Sequence, residues 1–315
     1  MNLSKTTIDL VIPVFNEEGV VGHTHKRICG VVDSLGYDVR FIYVDDGSHD
    51  GTIDALHRMA EADPRVTLLQ LSRNFGHQAA LTAGMDASTA DVVITLDGDG
   101  QHPPEMIPQM LSLVEQGYDI VQTQRIDEAQ PASFKKWTSG LFYRLINIIS
   151  GTQVLPGTAD FRALTRQAVD ALKTMPEYHR FLRGMVSWIG FSTVILPYQP
   201  EERISGVSKY SLGKMIRLAM DAIFSFSLMP LYLGLSLGGL LFCLAAMEMI
   251  YVLSFWITGR TSSLEPGWSS LMFVILIVGG ILMTLLGFIG VYVGYIFQEV
   301  KHRPIYLLKG EKNDR

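Results

Sequence analysis

From residue 8 to about residue 125, short apolar, β-branched runs alternate with longer stretches whose apolar positions recur at helical spacing. The runs at 8–14, 39–44, 66–71, 91–96 and 119–123 read as strands. The stretches at about 17–35, 52–62, 76–89 and 104–116 read as amphipathic helices. Strands this apolar, separated by helices, predict an α/β fold with a mostly parallel sheet covered on both faces. Open sheets of that kind bind ligands beyond the carboxyl ends of their strands, so chemistry is expected at that edge.

The pattern changes after residue 130. Two stretches, 134–150 with Lys135, Lys136, Trp137 and Arg144, and 209–227 with Lys209, Lys214 and Arg217, combine basic residues with an apolar face. They read as amphipathic helices lying in a membrane interface. Two long apolar spans follow: 228–257 holds one charge, Glu248, and 271–297 holds none. About 20 helical residues cross the hydrocarbon core, so both spans read as C-terminal transmembrane helices. Lys209, Lys214 and Arg217 precede them, and Lys301, Arg303, Lys309, Lys312 and Arg315 follow. By the positive-inside rule both termini face the cytoplasm, in a multi-pass protein of the inner (plasma) membrane. The expected division is a cytoplasmic domain at 1–208, an interfacial helix at 209–227, a two-helix hairpin at 228–300 and a tail at 301–315.

Composition agrees with this division. A chain of 315 residues suits one catalytic domain with an addition. The charged fraction of 18% is low and the mean hydropathy of +0.23 is high, mainly because of the C-terminal third. A net charge of −5 argues against nucleic acid as a partner, since binding a phosphate backbone calls for a basic stripe. Cys29 falls on a predicted helix and Cys243 in an apolar span, so two buried, reduced thiols are expected and no disulfide. No basic segment followed by an apolar run opens the chain, so no cleavable signal is expected.

Candidate chemistry sits where the strands end. Asp97-Gly98-Asp99 directly follows the run at 91–96. Two carboxylates so placed can share Mg²⁺ or Mn²⁺, hard cations that bridge to phosphate oxygens. Alone the pattern is weak, because Asp and Gly also build turns. Two further acidic clusters, Asn16-Glu17-Glu18 after the first strand and Asp45-Asp46 at the end of the second, converge on the same edge. Their carboxylates can accept hydrogen bonds from a nucleobase or a ribose. Asn16 and Asp46 can equally cap the next helix, a role compatible with binding. No dinucleotide fingerprint or phosphate-binding P-loop follows any strand, which argues against a dehydrogenase or a P-loop NTPase.

Taken in order, Pro13-Val14-Phe15-Asn16-Glu17-Glu18, Val44-Asp45-Asp46-Gly47-Ser48, Ser72-Arg73-Asn74-Phe75-Gly76-His77 and Asp97-Gly98-Asp99-Gly100-Gln101 resemble the motifs of glycosyltransferase family 2. Ala159-Asp160-Phe161-Arg162 and the run from Arg203 to Tyr210 narrow the resemblance to polyprenyl-phosphate glycosyltransferases, such as bactoprenol glucosyltransferases and dolichol-phosphate mannose synthases. The resemblance implies a GT-A type, Rossmann-like fold and a divalent metal. It also implies inverting transfer from a nucleotide sugar, UDP-glucose favoured, to undecaprenyl or another polyprenyl phosphate. A homo-oligomer, possible as a tetramer, is expected on the same ground.

Carried over by residue, Pro13, Glu17, Asp45 and Asp46 would line the nucleoside pocket. Asp97 and Gln101 would face the donor diphosphate, and Asp99 with Asp97 would hold the metal. Arg203, Ser208 and Lys209 would belong to a loop closing over the phosphates, with Arg203 and Lys209 catalytic. Asp160 matches the residue usually assigned as catalytic base. An acceptor phosphate is mostly dianionic at neutral pH and has no proton to remove. The other role open to Asp160 is to orient Arg162 or another cation. Arg73, Arg125, Arg180 and Arg183 complete the candidate cations, while His77 and His102 read as solvent-side hydrogen-bonders. Where many members read D-A-D-L-Q, this chain has two glycines, which predict a more flexible loop. The alternatives are an inactive membrane scaffold or flippase-associated subunit, and a processive polysaccharide synthase, whose Q-x-x-R-W motif is missing.

Overall fold

The computed structural model describes residues 6–126, 157–178, 180–199, 229–259 and 267–310. Arg203, Ser208, Lys209 and both expected interfacial helices lie outside the described residues.

Five strands fall where apolar runs predicted them: β1 (Thr7–Val14), β2 (Asp38–Asp45), β3 (Val66–Gln70), β4 (Val92–Thr95) and β5 (Ile120–Arg125). Helices α1 (Val21–Val32), α2 (Thr52–Ala62), α3 (His77–Ala87) and α4 (Ile107–Glu115) connect them. Two strands escaped prediction, β6 (Thr158–Thr165) and β7 (Thr193–Tyr198), and between them lie α5 (Arg166–Lys173) and α6 (Leu182–Trp188). The sheet order is β3-β2-β1-β4-β6-β5-β7. All pairings are parallel except those of β6, which runs antiparallel to both β4 and β5. This reversal matters for the site. An antiparallel strand begins at the edge where its neighbours end, so Asp160 arrives beside the carboxyl ends of β4 and β5.

Adjacent residues of the central strands are both dry, as expected for strands covered on two faces. Leu10, Ile12, Phe41, Tyr43 and Phe161 form one cluster with Ile28 of α1 and Met110 of α4. On the opposite face α3 packs on β1 and β2, and Val11, Ile42 and Val44 are fully buried. Burying one such side chain contributes about 1.5–3 kcal/mol, so this double cover is what makes the strand ends a rigid platform.

The chain divides into two compact units, residues 1–219 with 303–315, and residues 220–302. The second holds α7 (Met229–Ile257) and α8 (Trp268–Val300), helices that match the two predicted apolar spans. Within α8, Ile277–Val300 is long and apolar enough to cross a membrane, the one such stretch among the described residues. Large apolar side chains stand exposed on both helices, Ile250 and Ile257 on α7, Met283 and Leu286 on α8. Both cysteines are free; Cys29 is half-buried, and Cys243 is exposed on α7, against the expectation of a buried thiol.

The tail carries more structure than its charges suggested. Residues 303–310 belong to the first unit, and Leu308 pairs antiparallel with Leu71 just beyond β3.

Candidate active site

The loops after β1 and β2 are knitted together by short polar side chains. Asn16 adopts a left-handed backbone, φ 52°, which a non-glycine residue holds only where its surroundings impose it. Its amide donates to Ser48 Oγ at 2.9 Å, and its Oδ1 accepts from the His49 amide at 2.9 Å. The Glu17 amide donates to Thr52 Oγ1 at 2.8 Å. Pro13 is buried at the end of β1. The fully buried Asp45 accepts from the Ser48 amide at 3.1 Å. Asp46 turns instead toward the loop ahead of α3, accepting from the Phe75 amide at 2.7 Å and the Gly76 amide at 3.0 Å. Burial raises its carboxyl above the ordinary range against the pull of those two amides.

In the turn formed by Asp97, Gly98, Asp99 and Gly100 the two glycines have separate reasons to be there. A Cβ on Gly98 would lie 2.5 Å from Val14 Cγ1, and Gly100 holds φ 76°, a conformation that suits glycine. One makes room for β1, and the other makes the turn. Asp99 Oδ1 accepts from the Gln101 amide at 3.1 Å. The Asp97 amide donates to His102 Nδ1 at 3.0 Å, and that imidazole stacks on Phe161. His102 is therefore a buried support for the turn and not a solvent-side group.

Asp97 Oδ1 is buried and accepts no hydrogen bond. A carboxylate oxygen left in that state costs free energy unless a cation or donor meets it. With Asp99 two residues on, the donor set is all oxygen and fits Mg²⁺ or Mn²⁺. One group of metal-ligand type lies elsewhere: His25, Cys29 and Asp63, all within 4.8 Å of one another. The guanidinium of Arg65 fills that cluster, donating to Asp63 at 2.8 Å and to Cys29 Sγ at 3.7 Å, which makes it a packing network.

Asp160 is the hub of the site. It is 6% exposed, and Arg162, on the same face of β6, is 2% exposed. The Arg162 guanidinium forms a short hydrogen bond to Asp160 Oδ1. Arg183 on α6 donates from Nη2 to Oδ2 at 3.0 Å and from Nε to Oδ1 at 3.3 Å. Gln78 reaches Oδ2 at 3.4 Å and accepts from the Leu182 amide at 3.1 Å, tying α3 to α6. Burial would raise the Asp160 carboxyl, but Arg183, His77 and Arg162 outweigh it and hold the group well below the usual carboxylate range.

His77, the first residue of α3, joins this hub to the acidic turn. Its Nε2 lies 3.4 Å from Asp97 Oδ1 and 3.5 Å from Asp160 Oδ2. Burial lowers its pKa, yet the charges of Asp97 and Asp160 prevail and raise it to about 9. His77 is solvent-side, as expected, with 41% of its side chain open to solvent, but it also bridges two carboxylates, a role the sequence did not suggest. Of the other candidate cations, Arg73 stacks on Phe75 at 4.7 Å and Arg180 donates to the Met175 carbonyl. Sequence reasoning missed His77, Gln78 and the bidentate role of Arg183. The one available signal was that His77 opens a predicted helix after a motif loop.

The family model of glycosyl transferase family 2 matches residues 9–172. The chain belongs to glycosyltransferase family 2. It is an enzyme of the glycosyltransferase class, and its mostly parallel mixed sheet is GT-A-like. The match runs from β1 through α5 and so takes in Asp45, Asp97, Asp99 and Asp160. A bactoprenol glucosyl transferase of Shigella phage SfV is 37% identical over 309 residues, 97% of this chain and 99% of the phage protein. An uncharacterized glycosyltransferase of Bacillus subtilis (strain 168) is 39% identical over 300 residues, 95% of this chain and 92% of its own. Among solved structures, mannosyl-3-phosphoglycerate synthase from Rubrobacter xylanophilus is 16% identical with a TM-score of 0.49, covering 69% of this chain and 72% of that one. At that distance no ligand or residue role is carried across.

Proposed function

We infer that this enzyme transfers a sugar, with inversion, from a nucleotide-sugar donor to polyprenyl phosphate at the cytoplasmic face of the inner membrane. UDP-glucose is the first donor and undecaprenyl phosphate the first acceptor to test. The observation that supports this most is the buried cation cluster around Asp160, beside an acidic turn whose Asp97 Oδ1 accepts no hydrogen bond and lies 3.4 Å from His77 Nε2. Two phosphate-bearing substrates cannot be brought together without cations. Arg162, Arg183 and protonated His77 supply three positive charges against the two carboxylates Asp97 and Asp160.

In this reading Pro13, Glu17 and Asp45 take the nucleoside, and Asp46 shapes that pocket by holding the neighbouring loop. Asp97 and Gln101 face the diphosphate, and Asp99 with Asp97 would hold Mg²⁺ or Mn²⁺. The metal, when bound, offsets charge on the departing nucleoside diphosphate. Asp160 does not act as a base. Its lone pairs are engaged by two guanidiniums, its carboxyl is a weak proton acceptor, and a dianionic phosphate needs none. It holds Arg162, Arg183 and His77 in place for the acceptor phosphate. Arg203, Ser208 and Lys209 close over both phosphates.

The relatives named bactoprenol glucosyl transferase match end to end, including the apolar helices, which favours the lipid acceptor. Both α7 and α8 cross the bilayer in this reading, with the termini cytoplasmic. The boundaries are those expected: catalytic residues 1–208, interfacial 209–227, membrane 228–300 and tail 301–315. Anchoring holds the site beside an acceptor that cannot leave the bilayer and raises its effective concentration. Assembly into a homo-oligomer, a tetramer first, belongs to the same reading and is checked by light scattering in mild detergent.

The test is incubation of purified enzyme with undecaprenyl phosphate, Mg²⁺ or Mn²⁺, and a panel of labelled nucleotide sugars, following label into the organic phase. Label from one donor, lost with EDTA and with Asp99→Ala, is the expected result. No transfer from any donor by folded protein with accessible lipid would remove the reading and favour an inactive scaffold.

A further inference from the structure

The loop from Leu71 to His77 runs from β3 to α3 and delivers His77 between Asp97 and Asp160. Asp46 grips it from inside, through the amides of Phe75 and Gly76. From outside it is gripped by the segment that follows α8. The Ser72 amide donates to the Leu307 carbonyl at 2.8 Å, and the Lys309 amide donates to the Gln70 carbonyl at 2.8 Å. These bonds flank the antiparallel pair of Leu71 and Leu308. Tyr306 then reaches across, its hydroxyl donating to Asp86 Oδ2 at 3.1 Å near the far end of α3. Both ends of the unit formed by the end of β3, the loop and α3 are therefore pinned by four consecutive residues.

We propose that Tyr306–Lys309 is a positioning strap, which fixes the loop at 71–77 and thereby sets His77 between Asp97 and Asp160. Packing alone does not account for the strap. Leu307 and Lys309 are exposed and the other two residues only half-buried, so the segment adds little to the core. Backbone groups on an open strand edge can bond to water at small net cost. What the strap adds is geometry. Ser72, Arg73 and Asn74 are exposed, and the backbone of Arg73 and Asn74 rests on Gly47 on one side, where a Cβ would lie 2.5 Å from the Arg73 carbonyl carbon. A displacement of about 1 Å at a reacting centre can cost as much as 100-fold in rate. The positioning role rests on the glycosyl-transfer reading, while the grip on the loop does not.

The test compares Lys309→Pro, which deletes the amide donor to Gln70, with Lys309→Ala, which keeps it. Tyr306→Phe is a milder second variant. Deuterium exchange of the peptide covering 71–76 is read in the full-length protein, with sugar transfer measured in parallel. Lys309→Pro is expected to speed exchange there and to lower kcat roughly ten-fold, while Lys309→Ala stays within about two-fold. In a His77→Ala background, Lys309→Pro is expected to change kcat by less than about two-fold, because both changes act through one side chain. Equal exchange and equal kcat for the proline and alanine variants would overturn the strap. So would a fully multiplicative loss in the double variant, which marks an ordinary stabilising edge. If the wild-type protein transfers no sugar, the functional reading fails, and the exchange comparison still decides whether the strap grips the loop.

Discussion

Arg183 meets Asp160 side by side, Nη2 on Oδ2 at 3.0 Å and Nε on Oδ1 at 3.3 Å. With Arg162 on the same carboxylate, Asp160 is the one anion that keeps two guanidiniums and an imidazolium together. Breaking a buried pair by removing one partner typically costs about 3–5 kcal/mol, because the other charge is left unpaired. Asp160→Asn is therefore expected to lower stability by about that amount and kcat at least 100-fold. Urea unfolding and the transfer assay check both. An acid limb in the wild-type pH–rate profile that disappears in Asp160→Asn would restore the base role.

His77 offers a pH test with a definite sign. Its paired form is the protonated one, and its pKa is raised to about 9. The stabilisation is complete below the unfolded value of about 6.5 and is lost as pH rises through 9. Solvent screening moderates it, since 41% of the side chain is exposed. The melting-temperature advantage of wild type over His77→Gln, without added metal, should be largest near pH 6 and gone by about pH 10. An advantage that grows with pH would contradict the pairing.

At the far end of β1 the sign is reversed. Asp9 accepts from Arg40 at 2.6 and 2.8 Å and from Ser88 Oγ at 2.6 Å. Burial would raise its carboxyl, and the hydrogen bonds of Arg40 and Ser88 bring it below the ordinary range. Its stabilisation is present above the unfolded value of about 3.9 and is lost as pH falls through the lower folded value. Asp9→Asn should cost about 2 kcal/mol at pH 7, with kcat per folded molecule unchanged. Thermal melts between pH 3 and 7 should show the two proteins converging in acid.

Gly98 tests the rigidity of the acidic turn. Gly98→Ala puts a methyl against Val14 Cγ1, a stiff neighbour, and should cost about 1–3 kcal/mol and roughly ten-fold in kcat. Adding Val14→Ala should recover part of both losses. A tolerated single substitution with full activity would show that β1 yields at Val14 instead.

The central strands were legible because their apolar runs are unbroken and their acidic motifs follow at once. β6 was not, because Asp160 and Arg162 interrupt its apolar pattern, and their burial rests on their pairing with each other and with Arg183. Pro197 hid β7, an edge strand where a missing amide is tolerated. The acidic clusters at the ends of β1, β2 and β4, which the structure brings to one edge of the sheet, could be read from the chain. His77 could not, since its role depends on carboxylates from two distant segments that meet only when β6 runs backwards. The grip of Tyr306–Lys309 on the loop is mostly backbone to backbone and leaves almost no side-chain signature.

The pairing of Leu308 with Leu71 also governs the order in which the protein can mature. The ribosome releases the apolar helices before it releases Leu308, so the nascent catalytic unit waits with the backbone at the end of β3, at Gln70 and Ser72, without its partners Lys309 and Leu307. Seating of Leu308 therefore reports that both helices have already been made, and a chain cut short within them leaves the loop ahead of α3 without its outer grip.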